Sequence, residues 1–224
     1  MGTTTIYIAG DSTAASYPPE QAPMAGWGQM LGSLLSAEVV VSNLARCGRG
    51  SRSFIDEGHL ERIAQDIGPC DYLFIQFGHN DQKKEGAYAD PYEAYPANLK
   101  QYVSLAQGKG AVPVLFTPVE RRHFDETGTL LETHGDYPEA VRKLAAELNV
   151  TLIDLWKSGR ALYESLGPED SKRLFVWLEP GEHPNYPDGA RDNTHFNEEG
   201  ALEIARRAAE EIGRSDLALA GKSL

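Results

Sequence analysis

The sequence predicts a three-layer α/β/α sandwich around a parallel, flavodoxin-like sheet of about five strands, and three observations lead there. Short runs such as Ile6-Tyr7-Ile8-Ala9 and Tyr72-Leu73-Phe74-Ile75-Gln76-Phe77 are apolar throughout rather than alternating, as strands buried on both faces are. Between these runs lie stretches with helical spacing of apolar residues, the rhythm of a doubly wound sheet. Each run also empties into a turn-forming segment, and in such a sheet the carboxyl ends of all strands open on one crevice. The 224 residues are 41% hydrophobic and 24% charged, composition suited to one domain spanning residues 1–224 with a sizeable core.

The first strand stops at Gly10-Asp11-Ser12-Thr13. A serine on the turn after a buried strand has its hydroxyl at the sheet edge, beside N–H groups of a following helix start. Read alone, Ser12 serves equally well as a nucleophile or as a helix cap. Residues 17–23 form a proline-rich surface loop, since proline continues neither helix nor ladder. In 27–35, Trp27, Met30, Leu31, Leu34 and Leu35 make one buried helical stripe. Val39-Val40-Val41 is a second strand, emptying into the glycine-bearing loop 43–50. Residues 53–66 read as one helix, and the third strand, 72–77, empties into Gly78-His79-Asn80-Asp81. Helix 92–107 and strand 112–116 follow; Pro113 is tolerable there only at a strand start or an edge, because it lacks a ladder donor. Helix 138–148, strand 150–154 and helix 156–166 complete the alternation. Residues 178–193, rich in Pro, Gly and Asp, read as a long irregular loop of the kind that carries function. The final helix, 198–212, is acidic at its start with Arg206 and Arg207 later, as its dipole prefers.

Charge and cysteine usage narrow the function classes. A formal charge of −12 argues against nucleic acid or an anionic membrane as partner, since phosphates require clustered positive charge. No stretch approaches the roughly 20 apolar residues of a membrane span, and no basic region precedes an apolar core near Met1. A cytoplasmic protein is expected, or a secreted one if a leader has been removed. Cys47 and Cys70 lack disulfide-framework or metal-ligand spacing and read as free thiols packed in the fold.

A serine hydroxyl needs a base to take its proton, and that base needs an orienting group. Of six histidines, His195 stands out because Asp192-Asn193-Thr194-His195 ends the long loop just before the last helix. Asp56-Glu57-Gly58-His59 repeats the pattern inside a helix-forming stretch, where positions three apart are surface neighbours, and reads as solvated. The oxyanion of an acyl-transfer intermediate needs donors. Available are the N–H of Ser12, the N–H of Gly48, which no side chain shields, and the Asn80 amide. Read singly, Gly48 serves equally to allow a positive φ and Asn80 to fix its own loop.

Together, Gly10-Asp11-Ser12-Thr13, Gly48 after the second strand, Gly78-His79-Asn80-Asp81 and Asp192-Asn193-Thr194-His195 resemble the conserved blocks of the SGNH (GDSL-type) hydrolase superfamily, in order and across almost the whole chain. Gly10 to Ala15, Gly26-Trp27-Gly28, Asn43-Leu44-Ala45, Arg52-Ser53-Phe54 and Phe77 to Asp81 are similar in particular to the rhamnogalacturonan acetylesterases, carbohydrate esterases acting on pectin backbones. The resemblance implies Ser12 as nucleophile, His195 as base and then acid, Asp192 as its orienter, and Ser12 N–H, Gly48 N–H and Asn80 as the oxyanion hole. It implies no metal or organic cofactor; a grouping of His183, Asp192 and His195 lacks tight ligand spacing. The expected substrate is an acetylated acidic oligosaccharide or polysaccharide. Arginine forks bind carboxylates well, which makes Arg46, Arg49, Arg52, Arg121 and Arg122 candidates for contact, with His183 on the long loop. Another esterase of the superfamily, acting on xylan acetate, thioesters or lysophospholipids, is the alternative reading; a non-catalytic carbohydrate-binding domain is a second.

Overall fold

Five parallel strands, β1 (Thr4–Gly10), β2 (Val39–Asn43), β3 (Tyr72–Gln76), β4 (Val112–Phe116) and β5 (Thr151–Ile153), make the sheet of the computed structural model, which describes residues 4–219 and 221. Their order is β2-β1-β3-β4-β5. The chain therefore starts inside the sheet, steps outward to β2, and crosses back over β1 to reach β3. The loops leaving β1 and β3 diverge at that reversal and open the crevice where such folds bind ligands.

Alternate residues along each strand supply two separate cores. Ile6, Ile8, Phe74, Val114 and Phe116 pack against α1 (Trp27–Leu31), α6 (Leu155–Asp170) and α7 (Glu198–Gly213). Tyr7, Ala9, Leu73, Ile75 and Leu115 pack on the opposite face against α2 (Ser51–Asp56), α3 (His59–Asp66), α4 (Ala94–Gly108) and α5 (Tyr137–Leu148). Both faces are covered, so the middles of the central strands are apolar on both sides. Pro113 fits because Val112 donates its N–H to Asp71 on the β3 side, which turns position 113 toward β5, and β5 pairs only from Val114 onward. No helix among the described residues is long and apolar enough to cross a membrane.

The structure corrects the expected elements at several points. No helix follows β1; residues 12–14 form a single turn, closed by the Ala14 and Ala15 N–H groups on the Asp11 carbonyl. Ser12 is therefore not a helix cap. The stripe in 27–35 is helical only to Leu31 and continues as a 3-10 turn, Gly32–Leu34. The single helix expected over 53–66 is two, broken at Gly58, whose φ of 76° is left-handed. Asp56 and His59 thus lie on either side of a break rather than on one helix face. Cys47 and Cys70 are exposed instead of packed, each carried on a loop. Most consequential, residues 178–193 are not an irregular loop throughout: β6 (Phe175–Leu178) and β7 (Ala190–Phe196) pair antiparallel, with the connection between them packed on the proline-rich loop. In that packing the Asn185 amide donates to Pro19 and Ala22 carbonyls at 2.9 Å each.

The Gly26-Trp27-Gly28 segment holds the turn after β1 in place. Trp27 N–H donates to the Thr13 carbonyl at 2.9 Å, and the Trp27 ring donates to the Gln76 amide oxygen at 2.8 Å. Backbone meets backbone so closely that a Cβ on Gly26 would lie 2.3 Å from the Ala15 carbonyl oxygen. A Gly26→Ala substitution is expected to cost on the order of 3 kcal/mol, the upper range for overpacking a rigid neighbour. A urea midpoint equal to that of the parent would contradict this account of the contact.

Candidate active site

The turn after β1, the loop after β2, the loop after β3 and the strand before α7 meet at the crevice. Ser12 is 8% exposed, and its Oγ lies 3.1 Å from His195 Nε2. His195 Nδ1 lies 2.7 Å from Asp192 Oδ2. With the ring proton on Nδ1 directed at this carboxylate, Nε2 is left to accept the serine hydroxyl. The three side chains expected from the sequence thus form one line, joined across 183 residues between Ser12 and His195.

How the last two reach that position follows from the register of the β6–β7 pair. Phe175 faces Phe196 and Trp177 faces Arg191, so Val176 alone stands opposite the four residues 192–195. The extra residues bulge from the ladder, as insertions in a strand do, and re-aim their side chains. Inside the bulge Asp192 Oδ1 accepts the N–H groups of Thr194 and His195 at 2.7 and 2.9 Å. Partial burial pushes the Asp192 carboxyl up, but the bonds from the His195 ring and from these N–H groups outweigh it and hold it below its ordinary value. It stays ionised in the neutral range, as an orienter of imidazole must.

The residues expected to supply oxyanion donors lie on the turn after β1 and the loops after β2 and β3. Among the described residues the N–H groups of Ser12 and Gly48 have no acceptor. Gly48 has a φ of 77°, a conformation side chains rarely adopt, and open space where a Cβ would stand. Asn80 Nδ2 donates to the Arg49 carbonyl at 3.0 Å, while its Oδ1 accepts from Lys83 Nζ at 2.8 Å. That lysine fixes which way round the amide sits, its oxygen on Lys83 and its NH2 toward the Arg49 carbonyl. Sequence reading missed Lys83, because nothing in a lysine three residues past a turn asparagine marks its role. It also missed Tyr17, whose hydroxyl donates to the Ser12 carbonyl at 2.7 Å and braces the turn from outside.

Of the candidate substrate contacts, Arg46 and Arg49 line a groove of about 490 Å³ together with Tyr17, Cys47 and His59. Arg46 is exposed, whereas Arg49 is drawn to Glu57 at 2.8 Å. Arg52 is not brought to this groove; it pairs with Asp56 one turn along α2. His183 accepts the Asn185 N–H at 3.2 Å and braces the β6–β7 connection. Arg121 lies behind the site, donating to the His79 carbonyl at 3.3 Å, and Arg122 is buried beneath the bulge.

Behind Ser12 runs a buried polar chain. Asp11 Oδ1 accepts from Thr13 N–H and hydroxyl at 3.0 and 2.8 Å, and Oδ2 stands 3.6 Å from His79 Nδ1. Burial raises the Asp11 carboxyl and holds the His79 ring well below its usual value, which favours a neutral pair under the nucleophile. The His79 ring packs edge-on against His134, centroids 4.3 Å apart. His134 in turn lies 2.9 Å from Glu120, which also accepts from Thr133, Arg121 N–H and the Trp156 ring. Burial raises the Glu120 carboxyl, but these donors together bring it down to about 2. A carboxyl lowered in the folded state adds stability above its ordinary value of 4.5 and loses it as pH falls toward 2. Its contribution is about 3 kcal/mol. Between pH 6 and pH 2.5 the urea midpoint of wild type is therefore expected to fall further than that of Glu120→Gln; parallel declines would contradict the assignment.

Comparison with known proteins places these features in a wider group. The sequence profile described as the GDSL-like lipase/acylhydrolase family matches residues 8–202. The rhamnogalacturonan acetylesterase RhgT of Bacillus subtilis is 52% identical over 214 residues, covering 96% of this chain and 91% of that protein. A second B. subtilis protein, YesY, described as a probable rhamnogalacturonan acetylesterase, is 42% identical over 216 residues, covering 96% of this chain and 94% of its own. Among solved structures, B. subtilis YxiM superimposes with a TM-score of 0.80 at 32% identity, over 96% of this chain and 57% of that one. A catalytic mutant of Axe2, an acetylxylan esterase from Geobacillus stearothermophilus, shares the fold with a TM-score of 0.65 at 18% identity, over 95% of this chain and 96% of that one.

Proposed function

Because this chain belongs to the GDSL-like lipase/acylhydrolase family, we propose that it is a serine acetylesterase that removes acetyl groups from rhamnogalacturonan or its oligosaccharides. The observation that carries the chemistry is the Ser12–His195–Asp192 line at the sheet's reversal point. Kinship to RhgT and YesY carries the substrate.

The residues act in sequence. His195 Nε2 takes the Ser12 proton as Oγ attacks the acetyl carbonyl, and Asp192 stabilises the imidazolium that forms. Negative charge then develops on the former carbonyl oxygen, where the Ser12 and Gly48 N–H groups and Asn80 Nδ2 receive it. Loss of one such donor costs about 3 kcal/mol of barrier height. The intermediate collapses as His195 returns its proton to the departing sugar oxygen, leaving acetyl-Ser12. Water, deprotonated by His195, releases acetate by the same steps in reverse. Because the acyl group is small, little room beyond the oxyanion site is needed on that side.

On the sugar side, the Arg46 guanidinium makes no hydrogen bond or ion pair among the described residues and stands on the groove beside the Gly48 loop. In this reading it receives a uronate carboxylate of the acidic substrate, which a guanidinium fork suits. Acetate release measured across acetylated rhamnogalacturonan, its oligosaccharides, acetylated xylan and long-chain esters tests the substrate. Highest kcat/KM on the rhamnogalacturonan series is expected; preference for xylan or for long acyl chains would overturn the assignment and leave only the serine esterase.

A further inference from the structure

Beneath the bulge that carries Asp192 and His195 lies a guanidinium with which no carboxylate forms an ion pair among the described residues, Glu169 acting on it only through its charge. Arg122 is 5% exposed. Its Nε donates to Ser171 Oγ at 3.0 Å, its Nη1 to Asn193 Oδ1 at 2.6 Å, and its Nη2 to the Pro168 carbonyl. The Trp177 ring lies under the guanidinium, 4.9 Å from it, and Phe124 at 5.7 Å. Burying a cation with only neutral acceptors costs several kcal/mol unless its hydrogen bonds are well made. Here each of the three nitrogens has an acceptor, and the acceptors lie on two separate parts of the chain, 168–171 and Asn193.

What those bonds hold is informative. Residues 192–195 have no ladder partners, since Val176 alone faces them. In place of a ladder, Asn193 receives three hydrogen bonds from outside the bulge. Arg122 N–H donates to its carbonyl at 2.8 Å, Arg122 Nη1 to its amide oxygen, and Trp177 Nε1 to the same oxygen at 2.9 Å. Asn193 follows the orienting carboxylate and precedes the base by two residues, and its side chain turns to this clamp while Asp192 turns to His195 and His195 to Ser12. Fixing Asn193 restrains the short segment that carries both.

We propose that Arg122 is a positioning residue for the acid–base pair, its buried guanidinium gripping Asn193 so that Asp192 and His195 keep the geometry that reaches Ser12. The inference rests on the serine esterase reading. Lysine cannot reproduce the planar fork that serves three acceptors at once, so Arg122→Lys keeps charge and bulk but loosens the grip. A displacement of about 1 Å in a catalytic group costs on the order of 100-fold in rate.

The test combines kinetics on a chromogenic acetate ester with the downfield proton resonance of the imidazole N–H shared between His195 and Asp192. Arg122→Lys is expected to lower kcat between about 10- and 100-fold with KM within about twofold, and to broaden or shift that resonance. For Arg122→Ala, added methylguanidinium is expected to restore part of the lost kcat, which general destabilisation would not allow. Wild-type kcat together with an unchanged resonance in Arg122→Lys would overturn the proposal. Should the Arg122 variants fail to fold, Asn193→Ala is read by the same two measurements, with a lowered kcat and a disturbed resonance supporting the clamp and parent values of both refuting it. Absence of ester turnover by wild type would instead condemn the esterase reading, while the resonance would still report whether Arg122 sets the pair's geometry.

Discussion

Ser12→Ala is expected to lower kcat on an activated acetate ester by at least about 10⁴-fold, to the level that binding and the oxyanion donors alone sustain. The substitution removes one oxygen whose only hydrogen bond among the described residues is to His195. The fold contacts of the turn run instead through Asp11, Thr13, Ala14 and Ala15, which the change leaves alone. Thermal stability should therefore stay at the parent value while turnover disappears. That combination separates a nucleophile from a residue that holds the turn together. Full activity in Ser12→Ala would remove the basis of the mechanism.

His195→Ala is the second large effect. Loss of the base is expected to cost about 10⁴-fold or more in kcat/KM. Only the neutral ring accepts a proton from Ser12, and Asp192, whose carboxyl lies below its ordinary value, stays ionised as its partner. Asp192→Ala is expected to fall between wild type and His195→Ala, because the ring keeps its base while losing its orienter. Parent kcat/KM in His195→Ala would count against the assignment.

The parts of this fold that were legible in the sequence are those in which burial alone dictates structure. Apolar runs such as Ile6 to Ala9 and Tyr72 to Phe77 can only be strands covered on both faces, and they place Ser12, Gly48 and Asn80 at strand ends that must converge. Short polar segments escaped because their conformation is decided by distant partners. Arg191-Asp192-Asn193-Thr194-His195 has neither the apolar alternation nor the β-branched content of a strand. It pairs with β6 only because Phe175 and Trp177 meet it from another part of the chain, and it bulges because Arg122 and Trp177 hold Asn193. Periodicity also carried one helix across residues 53–66, where Gly58 adopts a left-handed φ and breaks it.

The site shows the same division. Ser12, Asp192, His195, Gly48 and Asn80 carried a pattern because chemistry constrains their types and spacing. Lys83, Tyr17 and Arg122 act through other residues, on Asn80, on the Ser12 carbonyl and on Asn193. No spacing rule binds a supporting residue to the one it supports when the two are 71 positions apart, as Arg122 and Asn193 are. The arginines divide likewise: Arg46 and Arg49 face the groove, Arg52 is spent on Asp56, and Arg122 is structural to the base rather than a contact for substrate.

The central claim is that acyl transfer passes through the Ser12 hydroxyl, and titration with an organophosphonate that modifies activated serines tests it most directly. Peptide mapping should find the label on Ser12 alone, with esterase activity falling in proportion to the fraction labelled and no labelling of His195→Ala on the same timescale. Turnover persisting in fully labelled enzyme, or label carried by another residue as activity is lost, would contradict it.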